Sequence, residues 1–240
     1  MIQEEKLTAI FKEVGAVFGY RNVSARFVND PEMKVKWIRQ GTTIQFMISD
    51  YLRNGSEFAI YSLAQTIFTR MSGDADAPYG EEFTSFVTSP DFLKENRVKY
   101  KSRNRGFHQP DQKIQDSIDR LVKKGYIKPL DKDTEVFYHD NLLVEPPKYK
   151  AAHGSPIFKV VNINSKCKTI EDPELMDYVV FKAVTQAQAE PFNNDSIREA
   201  MQKTQDYPNS MEYEARLVSD YALYNKRPDL RSKLMRKVRL

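Results

Sequence analysis

Two stretches of the chain share one design, and that repetition limits the fold more than any other feature. Thr42–Ser49 (TTIQFMIS) is rich in Thr and Ile, as a strand requires, and Asn54–Met71 (NGSEFAIYSLAQTIFTRM) after it reads as a buried helix. Pro156–Asn164 (PIFKVVNIN) followed by Asp172–Glu190 (DPELMDYVVFKAVTQAQAE) repeats the order. With 240 residues there is room for one large core or two small ones.

Each pair has a similar approach. Glu4–Phe18 places Leu7, Ile10, Phe11, Val14, Val17 and Phe18 at helical spacing, with Gly19 set to stop it. Val23–Val28 and Lys34–Arg39 alternate as strands across the turn Asn29–Glu32. Ser56 is placed to cap the helix that ends at Ser72-Gly73. In the second half Asp111–Lys124 puts Ile114, Ile118 and Leu121 on one face, and Gly125 stops it. Glu135–Val144 reads as a strand pair or one bent strand, with a turn at Pro146-Pro147 and a short strand over Lys148–Ala151. Each half thus reads helix, strands, strand, helix. Gly41 and Gly154, both ahead of the last strand, support a tandem repeat. The expected fold class is α+β, with units over 1–106 and 107–240. Glu81–Phe86 reads as a short helix, and Ser89-Pro90 opens another. Ser196–Lys203 and Ser210–Leu223 also read as helical, and the tail after Pro228 as a short basic helix with Leu230, Leu234 and Val238 inward.

Asp172-Pro173-Glu174-Leu175-Met176-Asp177-Tyr178-Val179-Val180-Phe181 resembles the core of the SprT/YgjP-like zinc metallopeptidases, in which such a segment enters a helix bearing HExxH. Arg198–Met201, Asp206-Tyr207-Pro208 and Tyr213-Glu214-Ala215 are similar to that family's region after the helix. The resemblance is best over Gly154–Leu217 and weaker over Gly41–Phe86. It implies two tandem zincin-like units, each a helix, about three strands and a core helix. HExxH holds zinc through two His one turn apart, with the Glu between them as general base. The corresponding positions here are Lys182, Ala183 and Gln186 in the second unit and Tyr61, Ser62 and Gln65 in the first. Lys and Gln do not replace an imidazole on zinc, and Ala183 and Ser62 carry no carboxylate. No His follows His153, so the third ligand of the family is missing too. The resemblance therefore implies a degenerate, non-catalytic scaffold with no cofactor. Gln65 and Gln186 are expected to be partly buried structural residues, and Lys182 to snorkel to water. A rival reading, a metal-dependent hydrolase, would assemble a rearranged site from His139, His153 and a carboxylate such as Glu145.

Other chemistries have no motif: GxGxxG, GxxxxGK[ST] and GxSxG are all absent. Asp74/Asp76 and Glu81/Glu82 fall in a loop and at a helix start, where the helix dipole favours acids. Cys167, the single cysteine, excludes an internal disulfide and reads as an incidental loop thiol, although Lys166 and Lys168 beside it would favour a thiolate. The N-terminus opens acidic where a signal peptide opens basic, and no apolar run approaches the ~20 residues that span a bilayer. The expectation is a cytoplasmic protein with no membrane partner.

Charge is concentrated. Lys94–Arg105 carries +5 and Asn225–Leu240 carries +6, which leaves −7 for the rest of a chain of net +4. Arg97, Lys99, Lys101, Arg103 and Arg105 alternate with other residues. In an extended strand they would share a face at about 7 Å spacing, with Tyr100 as a base-stacking surface. Arg231, Lys233, Arg236 and Lys237 add to this from the tail. The expected partner is nucleic acid or another polyanion, with a protein partner also open. The alternative is a solvated edge strand whose Lys and Arg prevent aggregation.

Overall fold

Leu7, Ile10, Phe11 and Val14 form the stripe by which α1 (Glu4–Val17) covers a sheet. A computed structural model describes the backbone of residues 1–103, 106–140, 143–145, 148–223 and 235–239, and side chains over 1–103, 106–140 and 150–223. The fold is α+β. It divides into two compact units, Met1–Tyr100 with the C-terminal strand, and Lys101–Arg227.

In the first unit, α1 leads through β1 (Asn22–Val28), β2 (Lys34–Gln40) and β3 (Thr43–Ser49) to a short 3-10 helix and then α2 (Glu57–Met71). The alternation read in the sequence is the burial pattern: in β1, Val23, Ala25 and Phe27 face the core while Asn22, Ser24 and Arg26 face solvent. Phe46 at the centre of β3 meets Phe11 at 4.7 Å and Phe68 of α2 at 5.3 Å between ring centroids. Ser56 caps α2 by accepting from the Ala59 amide. After α2 come α3 (Glu81–Val87) and α4 (Pro90–Arg103), the latter running across the division between the units.

The second unit has β4 (Phe107–His108), α5 (Gln112–Lys123), β5 (Glu135–His139), the small pair β6 (Leu143–Glu145) and β7 (Lys148–Tyr149), β8 (Ala152–Ser155), β9 (Val160–Asn164), a 3-10 helix, and α6 (Pro173–Ala187). Then follow α7 (Asn194–Gln205) and α8 (Ser210–Tyr221). β10 (Met235–Arg239) returns to the first unit and pairs antiparallel with β2.

The strand orders are β1-β3-β2-β10 and β4-β5-β9-β8. In both, the strand after the opening helix (β1, β5) runs parallel to the strand before the core helix (β3, β9), and the strand that precedes the latter in a hairpin (β2, β8) pairs antiparallel with it on the other side. The opening helices also end alike. Gly19 (φ +80°) and Gly125 (φ +72°) adopt the left-handed conformation, and the following Tyr20 and Tyr126 amides bond back to Gly15 and Leu121.

Several expectations need correction. Lys94–Arg103 is helical, not extended. Ser89 caps the helix, Pro90 fits its first turn, and mostly unbranched side chains continue it. The strand expected from Pro156 starts at Val160, because Pro156–Lys159 form the hairpin turn, with Lys159 at φ +51°. Gly154 therefore lies in β8 and Gly41 in the β2–β3 turn, so the two glycines are not equivalent. The tail residues expected to be helical include a strand, β10; Leu230 and Leu234 lie outside the described residues, as do Pro146 and Pro147. The C-terminal end, assigned with the second unit, pairs instead with the first, and the units divide at 100/101 where 106/107 was expected.

Candidate functional site

α6 is the most enclosed helix of its unit: β8 and β9 cover one side and α5, α7 and α8 pack around the rest. Asp172 caps it through the Glu174 and Leu175 amides, and Pro173 sits where no amide donor is needed. On a helix buried all round an unmatched polar side chain is costly. α6 matches its charged ones, although Thr185 Oγ1 is buried with no hydrogen-bond partner among the described residues. Asp177, buried, accepts from Ser117 Oγ at 2.6 Å and from Arg120 Nη2 at 2.7 Å on α5, with Lys124 Nζ at 3.6 Å. On α8, Glu214 receives the Tyr178 hydroxyl at 2.6 Å and the Lys182 ammonium on the same oxygen. Burial pulls the Lys182 pKa down, against the opposing pull of Glu214. The Tyr178 hydroxyl is pushed up, first by burial and then by its bond to Glu214. Arg216 of α8 binds Asp172 at 2.6 Å and holds that carboxyl below its usual range.

Gln186, one turn beyond Lys182, accepts from the Gly154 amide at 3.1 Å. That bond needs the close approach only glycine allows, since a Cβ on Gly154 would stand 1.9 Å from the Ala183 carbonyl oxygen and 2.5 Å from the Ala187 amide. Tyr178, Lys182 and Gln186 thus form one polar stripe along α6, each with a partner in its own unit.

Counted from the helix caps Ser56 and Asp172, the matching stripe on α2 is Ser62, Thr66 and Arg70. It holds the chain's own segment Ala77–Gly80. Arg70 Nε donates to the Ala77 carbonyl at 2.8 Å and Nη1 to the Tyr79 hydroxyl at 3.1 Å, with the guanidinium 4.2 Å from the Tyr79 ring centre. Thr66 Oγ1 reaches the Pro78 carbonyl at 3.3 Å, and burial pushes the Tyr79 phenol up to about 12.

The positions that the HExxH resemblance singled out are therefore only partly matched. Ser62 corresponds to Tyr178 rather than Ala183, and Gln65 to Phe181 rather than Gln186. Gln65 is exposed, not half-buried, while Gln186 is half-buried and bonded. Tyr61 is half-buried beside the stripe. Lys182 does not snorkel, with only 8% of its side chain exposed. The stripe was not visible from motif spacing; the signal was the i, i+4, i+8 run of polar residues in otherwise apolar helices.

His139 and His153 lie on either side of β9, opposite Asn164 and Asn162, on the sheet face away from α6. His139 is buried against Phe107 at 4.8 Å. Glu145 is on β6, in the separate two-stranded sheet. His108 pairs with Asp140 at 2.6 Å on the surface. No group of three His, Cys, Asp or Glu residues that could hold a metal ion occurs among the described residues. Cys167 is buried, not in an open loop, and burial pushes its thiol up to about 12, which opposes the thiolate its neighbouring lysines would favour.

On α4 the expected row of charges is dispersed, because successive helical residues turn by about 100°. Lys99 bonds to Asp50, Lys101 bonds to Glu135 at 2.9 Å, and Tyr100 is buried rather than offered for stacking. Arg97 and Arg103 are half-buried. Arg105, Arg231 and Lys233 lie outside the described residues, and Arg236 and Lys237 are placed by backbone only, opposite Trp37 and Lys36. Among the described residues no helix is long and apolar enough to cross a membrane.

No family model matches the chain, and no curated protein matches it. Among solved structures it is similar to the metallopeptidase zymogen of Pyrococcus abyssi abylysin, at 16% identity and a TM-score of 0.33, over 47% of this chain and 99% of that one.

Proposed function

We propose that this chain is a non-catalytic, metal-independent binding or scaffold protein built on two degenerate SprT/YgjP-like zincin units, with a polyanion such as nucleic acid as partner. The observation that supports this most is the engagement of both polar stripes. On the second core helix, where the resemblance puts a zinc-binding imidazole, Lys182 carries an ammonium engaged by Glu214. An ammonium has no lone pair to offer a metal. Gln186, in the place of the second imidazole, uses its carbonyl oxygen on the Gly154 amide. On the first core helix the stripe grips the segment Ala77–Gly80. Side chains that would bind substrate or metal hold the fold together instead.

The test is elemental analysis of protein purified without chelator and re-equilibrated with zinc, run beside a peptide-hydrolysis assay. The expected result is no stoichiometric zinc and no metal-dependent cleavage. One zinc per chain, lost with activity on chelation, would overturn the proposal and favour the site around His139 and His153.

A further inference from the structure

The two units share one turn and use it differently. In the first, Gly19-Tyr20 follows α1 and the Tyr20 ring is packed inward against Phe68 at 5.4 Å, with the Arg39 guanidinium 5.2 Å away. In the second, Gly125-Tyr126 follows α5 with the same backbone bond, yet Tyr126 is 42% exposed. Its ring rests against Phe181 (6.2 Å, edge on) and Tyr207 (5.2 Å). Those contacts fix the ring while leaving it open to solvent. The turn itself is firmly held: Ile127 is buried, and the Lys128 carbonyl accepts from Gln188 at 2.8 Å.

Charge differs in the same way. Arg120–Lys128 (RLVKKGYIK) has four Lys or Arg residues and no acid, whereas 14–22 (VGAVFGYRN) has a single Arg. Arg120 and Lys124 share the buried Asp177, so two cations meet one carboxylate there. Lys123 and Lys128 are exposed and make no ion pair among the described residues. The nearby Glu199, which feels Lys128, is itself bound by Lys203 at 2.7 Å.

We propose that this turn is a docking surface for single-stranded nucleic acid, with a base stacked on Tyr126 and the flanking phosphates held by Lys123, Lys124 and Lys128. The inference rests on the polyanion part of the proposed function and moves its contact from α4 to α5. Single strands are the better fit because their bases have free faces for an aromatic ring, whereas duplex bases are already stacked. An anionic membrane is the poorer fit, since Tyr126 is the only exposed large apolar side chain of the turn and Ile127 points inward.

Fluorescence anisotropy tests this with the full chain, labelled oligo(dT) and oligo(U) of about 20 nucleotides, a duplex of equal length, and anionic phosphatidylserine vesicles. The wild type should bind the single strands more tightly than the duplex or the vesicles. Tyr126→Ala should weaken single-strand binding about tenfold, and Tyr126→Phe should leave it unchanged. Lys123→Glu/Lys128→Glu, which changes two exposed residues, should flatten the log–log salt slope by about 1.4. Wild-type affinity and slope in that double variant would overturn this site even if Tyr126→Ala failed to fold. Loss of binding in Arg97→Ala/Lys101→Ala/Arg103→Ala with these variants silent would return the surface to α4. A preference for duplex or vesicles would also overturn the proposal. No nucleic-acid binding by the wild type at about 50 mM salt would remove both this site and the polyanion reading beneath it.

Discussion

An ammonium that cannot reach water must find its counter-charge inside the fold, and Lys182 finds it one helix away in Glu214. Glu214→Gln removes the charge while keeping a polar group in place, so Lys182 is left buried beside a neutral amide. The expected loss is about 3 kcal/mol in urea unfolding. Lys182→Met/Glu214→Gln removes both charges at nearly constant volume and should recover most of that loss, a coupling of at least about 1.5 kcal/mol. Additive losses would show that the pair contributes little. The pH dependence has a definite sign. Because burial lowers the folded pKa of Lys182 below its ordinary 10.5, the unfolded chain holds a proton there that the folded chain lacks. Stability linked to this group therefore rises with pH from its folded pKa towards 10.5, and Lys182→Met should abolish that rise.

At the scale of elements, the strand–helix pairs were legible because their periodicity and caps agree. The three strands of the first unit and the opening helix of each unit appear close to where alternation and the i, i+3, i+4 stripe put them. What failed was any reading that depended on partners distant in sequence. The Ser89 cap read in the sequence does start a helix, but the alternating cations further along α4 fit strand or helix equally, and it is the burial of Tyr100 that goes with helix over them. The polar stripes were hidden for the same reason: nothing near Lys182 in sequence announces Glu214. Gly154 shows how tightly such distant contacts are set. Its Cβ would collide with backbone of α6, which cannot move aside as a flexible side chain can. Gly154→Ala is expected to cost about 3 kcal/mol or more, seen as a melting temperature lowered by about 6 °C or more, because β8 must lift from the helix and the bond to Gln186 breaks. A change of less than about 2 °C would mean that the two elements are not in contact.

Across the whole molecule, the chain's last described strand completes the sheet built by its first strands. β10 covers the edge that β2 would otherwise expose, and becomes an edge that carries three cations in five residues, Arg236, Lys237 and Arg239. Cationic edges resist pairing with other chains, so the role considered for Lys94–Arg105 suits the tail better. Sequence could not have assigned it, since β2 and β10 are separated by almost the full chain and the register sets basic positions opposite one another, Lys237 at Lys36 and Arg239 at Lys34. On the β2 side, buried Asp30 bonds to both Lys34 and Lys36. Removing residues 235–240 should therefore act on one unit and spare the other. Hydrogen exchange at β2 amides should accelerate by at least about tenfold while β8 and β9 keep their rates, and the truncated chain should associate more readily at high concentration through its bared edge. Unchanged protection across Lys34–Gln40 would mean that β10 does not hold β2 in solution.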